Sequence, residues 1–227
     1  CLVGSEMCIR DSPHMLPKQE AWEEIMSSLG INNNDDILIY DNSDLKSSCR
    51  CWFSLLYFGH DEKKIHILNG GLKKWIFENK PITTDTTEII ESNYVANEKE
   101  NLVVSFDQIK KNILSKSFNV IDARSLERFE GKVSEPRKGL RSGHIQNSFC
   151  LPFNLCINQK TGEFKNLEEL KQLFNEYENR EKRLEQVFTC GSGVTAAVLA
   201  YAYKMVNNDY TPKIYDGSWS EYGKYPA

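Results

Sequence analysis

The segment with the clearest chemical potential runs from Val187 to Ala197. An apolar stretch, Val187-Phe188-Thr189, leads into Cys190, and Gly191-Ser192-Gly193-Val194-Thr195 then opens onto the apolar run that begins at Ala196. This pattern reads as strand, tight loop and buried helix. A loop so placed can turn successive backbone N–H groups inward as a nest for an anion. The N-terminus of the following helix adds partial positive charge. Both features stabilise negative charge on a sulfur and so favour a nucleophilic cysteine. Gly191 and Gly193 allow backbone angles that a side chain resists. Ser192 and Thr195 offer hydroxyl donors toward the sulfur. Two other readings compete. Free cysteine is commonly buried, so Cys190 could be structural, with the glycines serving only the turn. A cysteine phosphatase needs an arginine after five intervening residues. Ala196 stands there, so the cation that would clamp a phosphate is missing.

Of the other groups, Arg128 and Arg137 flank a polar loop, Gly131 to Glu135, and can fold back toward one anion. On residue type alone each serves equally well as a surface ion pair. Asp122 ends a strand-like run, where it orients an arginine or caps the next helix. Trp219 and Tyr222 suit the wall of a site as well as they suit a core. There are seven cysteines, an odd number with no disulfide-framework spacing, and Cys49-x-Cys51 is too tight for a zinc or thioredoxin-type pair. Reduced thiols and a cytoplasm-like compartment are expected, with no metal and no organic cofactor. The net charge of -4 argues against a nucleic-acid or anionic-membrane partner. No apolar run reaches the roughly 18 residues of a membrane span.

These groups need a scaffold, and the periodicities supply one. Helices are expected over Lys18–Leu29, Leu45–Phe58, Leu72–Glu78, from Ser105 (with Gln108 as a capping box) to Leu114, over Leu167–Tyr177 and over Val194–Met205, with a short one opened by Ser125. Strands are expected at Asp36–Asp41, Lys64–Leu68, Leu102–Val104, Phe118–Asp122, Gln186–Thr189 and Lys213–Tyr215. The alternation predicts an α/β fold with central parallel sheets flanked by helices. The halves echo each other: strand, helix, strand and Asn69-Gly70-Gly71 in the first, strand, helix, strand and Asp216-Gly217-Ser218 in the second. Domains are placed at 13–82 and 102–227, joined by a polar linker at 83–101. Residues 1–12 show no period and read as foreign to the fold.

At this point a resemblance emerges. Cys190-Gly191-Ser192-Gly193-Val194-Thr195-Ala196 is similar to the active-site loop of the 3-mercaptopyruvate sulfurtransferases, members of the two-domain rhodanese family. Val120 to Arg124, Arg128-Phe129, Glu135-Pro136-Arg137, Ser142 to Ile145 and Tyr215 to Gly223 resemble further motifs of that family. So do Pro13 to Pro17 and Gly70-Gly71-Leu72 with Trp75, and the likeness spans about residues 13–224. It implies two rhodanese-like domains. The family's first domain begins with a strand, a helix and an acid-bearing stretch that find no counterpart ahead of His14, so the first domain is expected to be incomplete.

The resemblance assigns Cys190 as the persulfide-forming nucleophile, with Ser192 and His14 as a catalytic relay. It assigns Arg128, Arg137, Gly191, Gly193, Val194 and Thr195 to substrate binding. His14 as a structural turn remains the competing reading. His144 belongs to a Gly-His-Ile turn that is mainly structural in the family, and Gln146-Asn147 replace the usual Pro-Gly there. The implied reaction takes sulfur from the small molecule 3-mercaptopyruvate. The implied acceptor is a thiol, such as thioredoxin or a low-molecular-weight thiol, or cyanide. A cytoplasmic location is implied, or a mitochondrial one if the source is eukaryotic. Thiosulfate as donor and a non-catalytic sulfur-carrier module are the alternatives. The neutral Gly191-Ser192 pair favours mercaptopyruvate, because thiosulfate enzymes usually carry cations in the loop.

Overall fold

The structure is a computed structural model describing residues 14–44, 46–177 and 184–225. The segment 1–12, Pro13 and Leu45 lie outside the described residues, and so do 178–183, 226 and 227. The first unit contains α1 (Gln19–Ser28), β1 (Ile37–Ile39), α2 (Ser48–Tyr57), β2 (Ile65–Ile67) and α3 (Gly71–Phe77). The second contains α4 (Phe106–Ser115), β3 (Phe118–Asp122), α5 (Leu126–Phe129), β4 (Phe149–Cys150), α6 (Leu167–Asn175), β5 (Glu185–Thr189), α7 (Val194–Val206) and α8 (Ser218–Tyr222). β1 and β2 pair in parallel, Ile37 opposite Ile65. β3 lies between β4 and β5, parallel to both, with Val120 opposite Val187 and Asp122 opposite Thr189.

Local chemistry accounts for several boundaries. At α4 the Ser105 hydroxyl accepts the Gln108 N–H at 3.3 Å while the Gln108 side chain accepts the Ser105 N–H at 2.7 Å, the reciprocal cap expected from the sequence. α7 is apolar all round because it is buried on nearly every side. Ala196, Ala197, Ala200 and Ala202 leave room for close neighbours, and α2 packs against α7 from the other unit, with Trp52 edge-on to Tyr201 at 5.0 Å. One continuous core therefore runs from Trp22 and Phe53 to Phe188 and Leu199.

Some elements differ from expectation. The strands expected at 102–104 and 213–215 shrink to single bridges, because Ile214 pairs with Phe188 on one side and with Val103 on the other. The helix expected from Leu45 starts at Ser48. β4 and α8 were not anticipated: β4 has only two residues, too few for a period, and Gly217 disguises the start of α8. The polar segment assigned as a linker is closely seated near its end. Tyr94 and Ala96 are buried, the Ser27 hydroxyl accepts the Tyr94 N–H at 3.0 Å, and Glu23 accepts the Ala96 N–H at 2.8 Å.

The two units repeat one hydrogen-bond pattern. In the first, Leu68 N–H donates to the Ile39 carbonyl and Leu72 N–H to the Asp41 carbonyl; in the second, Tyr215 N–H donates to Phe188 and Trp219 N–H to Cys190. Asp41 thus holds the backbone place that Cys190 holds in the second unit. The equivalent turn residues Gly71 and Ser218 both have positive φ, 61° and 50°.

Candidate active site

Cys190 follows β5, at the carboxyl edge of a parallel sheet, where α/β folds place their ligands. Its sulfur accepts the Gly193 N–H at 3.1 Å and the Ser192 N–H at 3.4 Å. Gly193 reaches this geometry at φ 85°, and a Cβ there would sit 3.1 Å from both Arg50 Nη1 and Asp216 Oδ1. The turn therefore requires glycine for its angle and for its space. The loop is held from behind by the start of α8. Trp219 N–H donates to the Cys190 carbonyl at 2.9 Å, the Ser220 hydroxyl to the Gly191 carbonyl at 2.6 Å, and Cys190 N–H to the Ser218 hydroxyl at 3.2 Å. The nest is thus fixed before any substrate arrives, as electrostatic stabilisation requires.

Of the two roles expected for the Ser192 hydroxyl, donor to the sulfur and partner of His14, the geometry has the second contact. The two hydrogen bonds described at the sulfur come from the backbone. Ser192 Oγ instead lies 2.9 Å from His14 Nδ1 and accepts from Arg137 Nη2 at 3.2 Å. Arg137 Nη2 is also 3.4 Å from His14 Nδ1. A guanidinium only donates, so Nδ1 is the acceptor nitrogen, the ring is neutral, and the Ser192 hydroxyl can hand it a proton. Burial, then the charges of Arg137 and Arg50, hold His14 below its ordinary value of 6.5, in keeping with a neutral ring. Thr195 stands half-buried on the first turn of α7, after the buried Val194.

Both arginines reach the cysteine loop. A Cβ on Gly191 would lie 3.0 Å from Arg128 Nη2 and 3.7 Å from Arg137 Nη1. Arg128 is aimed by Glu135, which accepts Nη2 at 2.6 Å and Nε at 3.3 Å. Glu135 also takes Arg124 Nη1 at 2.8 Å, and Asp122 holds the opposite side of that buried guanidinium, with Nη2 at 2.7 Å. Asp122 therefore orients an arginine, one of the two roles its place allowed. Glu135 and Arg124 were visible only as motif letters; their task depends on a fold-back that has no period.

Other candidates resolve as structure. His144 stacks on Phe129 at 4.0 Å and bonds the Phe129 carbonyl at 2.9 Å. Asn147 keeps the following turn at φ 63°, an angle asparagine tolerates, and its amide donates to Ile113 O at 3.0 Å. Trp219 is buried between Arg124 and Arg141, with guanidinium carbons 4.4 and 4.7 Å from its ring, and donates to Arg141 O. Tyr222 packs beside it at 5.6 Å. Burial pushes the Cys150 and Cys156 thiols up to about 12 and raises Cys49 further, which leaves all three protonated at neutral pH. A cavity of about 680 Å³ lies between Asp44, Lys46, α3 and residues 153–162, and none of Cys190, Ser192, His14, Arg128 and Arg137 lines it. Chemistry, not cavity size, locates this site.

The chain is similar to known proteins in sequence and in structure. The model of the rhodanese-like domain matches residues 5–78 and 105–225. The Arabidopsis thaliana thiosulfate/3-mercaptopyruvate sulfurtransferase 2 is 36% identical over 94% of the chain and 67% of its own length. The human 3-mercaptopyruvate sulfurtransferase is 36% identical over 94% of the chain and 71% of its own. The chain thus spans about two thirds of these relatives. The crystal structure of the 3-mercaptopyruvate sulfurtransferase SseA from Escherichia coli superposes with a TM-score of 0.81 at 32% identity, covering 96% of this chain and 80% of that one.

Proposed function

Because the chain belongs to the rhodanese-like family, we propose that it is a sulfurtransferase moving sulfane sulfur from 3-mercaptopyruvate to a thiol or cyanide through a persulfide on Cys190. The observation that carries this reading is a cysteine sulfur held by two backbone N–H groups, with two guanidinium groups beside the same loop.

Mercaptopyruvate carries a carboxylate and a ketone. Arg128 and Arg137 match them, since a planar guanidinium pairs with carboxylate in two parallel bonds. The Cys190 thiolate attacks the donor sulfur. The donor C–S bond breaks, its electron pair goes to carbon as the enolate of pyruvate, and the donor's own S–H remains on the new persulfide. The proton that the Cys190 thiol gives up on becoming the thiolate goes through Ser192 to His14, and the same pair returns it to the enolate carbon to complete pyruvate. In the second half-reaction a thiolate, of thioredoxin or a small thiol, or cyanide attacks the outer sulfur and regenerates the Cys190 thiolate.

The neutral Gly191-Ser192 pair favours this monoanionic donor over thiosulfate, although a curated relative is named for both. The test is intact mass and turnover with each donor. Wild-type protein should gain one sulfur and release pyruvate, and Cys190→Ser should do neither. Sulfur on Cys49, Cys150 or Cys156 would refute the assignment. A persulfide that forms without turnover would mark a sulfur-carrier module instead.

A further inference from the structure

Arg50 has no part in the chemistry above, yet it helps tie the two units together at the site, behind the His14–Ser192 contact. It projects from α2 of the first unit and is buried, with its side chain 10% exposed. Its Nη2 donates to the His14 carbonyl at 2.7 Å and lies 2.7 Å from Asp216 Oδ1 in the second unit. The other Asp216 oxygen accepts the Leu16 N–H at 2.9 Å. One ion pair therefore grips the His14–Leu16 segment at two points. His14 itself is held at φ 72°, a left-handed angle that a non-glycine residue keeps only where its surroundings impose it. On its other side the same pair abuts Gly193, whose N–H touches the sulfur.

We propose that Arg50 is a positioning residue for sulfur transfer: with Asp216 it fixes the His14 backbone and the Gly193 turn in one register, so that the relay and the nucleophile meet. This deepens the sulfurtransferase reading and rests on it. Arg50 touches neither the sulfur nor the relay atoms, so it acts through what it holds. Both contacts run through one nitrogen, Nη2, at the far end of the side chain. Lysine keeps the charge but its ammonium ends one atom short of that position. The groups that face His14 are Ser192 and Arg137 at the ring and Arg50 at the carbonyl, with Asp216 behind Arg50.

The experiment compares wild type, Arg50→Met and Arg50→Lys. It reads kcat and KM for mercaptopyruvate, their pH profile, and the NMR titration of His14, after circular dichroism establishes folding. In Arg50→Met, kcat should fall on the order of 100-fold with a smaller change in KM. The His14 titration and the acid limb should both move up toward 6.5 as a facing cation is lost. In Arg50→Lys, kcat should fall while the His14 titration stays near that of wild type. A folded Arg50→Met enzyme at wild-type kcat overturns the proposal, as does one that is slowed with its His14 titration unmoved. Should Arg50→Met fail to fold, wild-type kcat in Arg50→Lys overturns it alone. A wild-type protein that forms no Cys190 persulfide would instead overturn the sulfurtransferase reading. The His14 titration needs no turnover and still reads the Arg50 contact.

Discussion

Replacing Glu135 by glutamine tests how the substrate arginines are aimed. Asp122, Arg124, Glu135 and Arg128 form a chain of alternating charge, in which Glu135 is 2% exposed and Arg124 is fully buried. Glutamine keeps the shape and removes one negative charge. With its carbonyl at the Oε1 position it still accepts from Arg124 Nη1 and Arg128 Nε, but its amide then meets Arg128 Nη2, donor against donor. Breaking a buried pair on one side costs about 3–5 kcal/mol. Arg124 keeps its bonds to Asp122 and to the Gly143 carbonyl, and Arg128, 24% exposed, can turn to water. A loss of about 3 kcal/mol, at the lower end, is therefore expected.

Arg128 also loses its aim toward the donor. A charge-assisted contact of about 1.5–3 kcal/mol corresponds to roughly 10- to 100-fold in kcat/KM for mercaptopyruvate. Urea denaturation measures the first effect and steady-state kinetics the second. A Glu135→Gln protein that keeps both its stability and its kcat/KM would refute the idea that this carboxylate positions Arg128.

Folded Arg128→Ala and Arg137→Ala should each lose roughly 10- to 100-fold in kcat/KM for mercaptopyruvate, and the lysine variants should recover only part of it; near-wild-type kinetics would make the arginines structural. Placing Arg and Lys at positions 191 and 192 should shift the ratio of donor efficiencies toward thiosulfate, unless loop charge is not the selector. The acid limb of kcat/KM should lie below pH 6.5, because burial, Arg137 and Arg50 keep His14 neutral as pH falls through that value. The same lowering makes the fold lose stability as pH drops below 6.5, since the unfolded chain takes up the proton first; a limb at or above 6.5 would contradict the neutral relay.

The candidate site was legible where a local pattern marks it. Cys190 stood out because strand, glycine turn and apolar helix are contiguous in sequence, and the capping box at Ser105 for the same reason. Local pattern alone misreads the Ser192 hydroxyl: a serine two residues from a cysteine reads as its donor, and only the family resemblance pairs Ser192 with His14, 178 residues away. Arg50 and Asp216 were equally opaque, being a helix residue and a turn residue until the units close on each other. Single-bridge strands such as Val103 and Ile214 have no period to detect.

The repeat explains why the units divide the work. Each builds the same strand–turn–helix backbone, but the first fills its turn with its own carboxylate: Asp41 accepts the Ser48 N–H at 2.6 Å and the Ser47 hydroxyl at 3.3 Å. A tethered anion bound there leaves no polarisable atom for attack and satisfies the donors that a substrate anion would need. The second unit places a sulfur at the equivalent backbone position and satisfies it with two N–H groups, Ser192 and Gly193. What the first unit keeps is reach. His14 and Arg50 come from its side of the interface and act on the loop of its partner. On this reading the second unit, separated from the first, would keep the nest and both substrate arginines but lose the relay and the Arg50–Asp216 pair. On the proposed mechanism, nucleophile and proton transfer belong to different halves of one chain, and the continuous core under α2 and α7 holds them in contact.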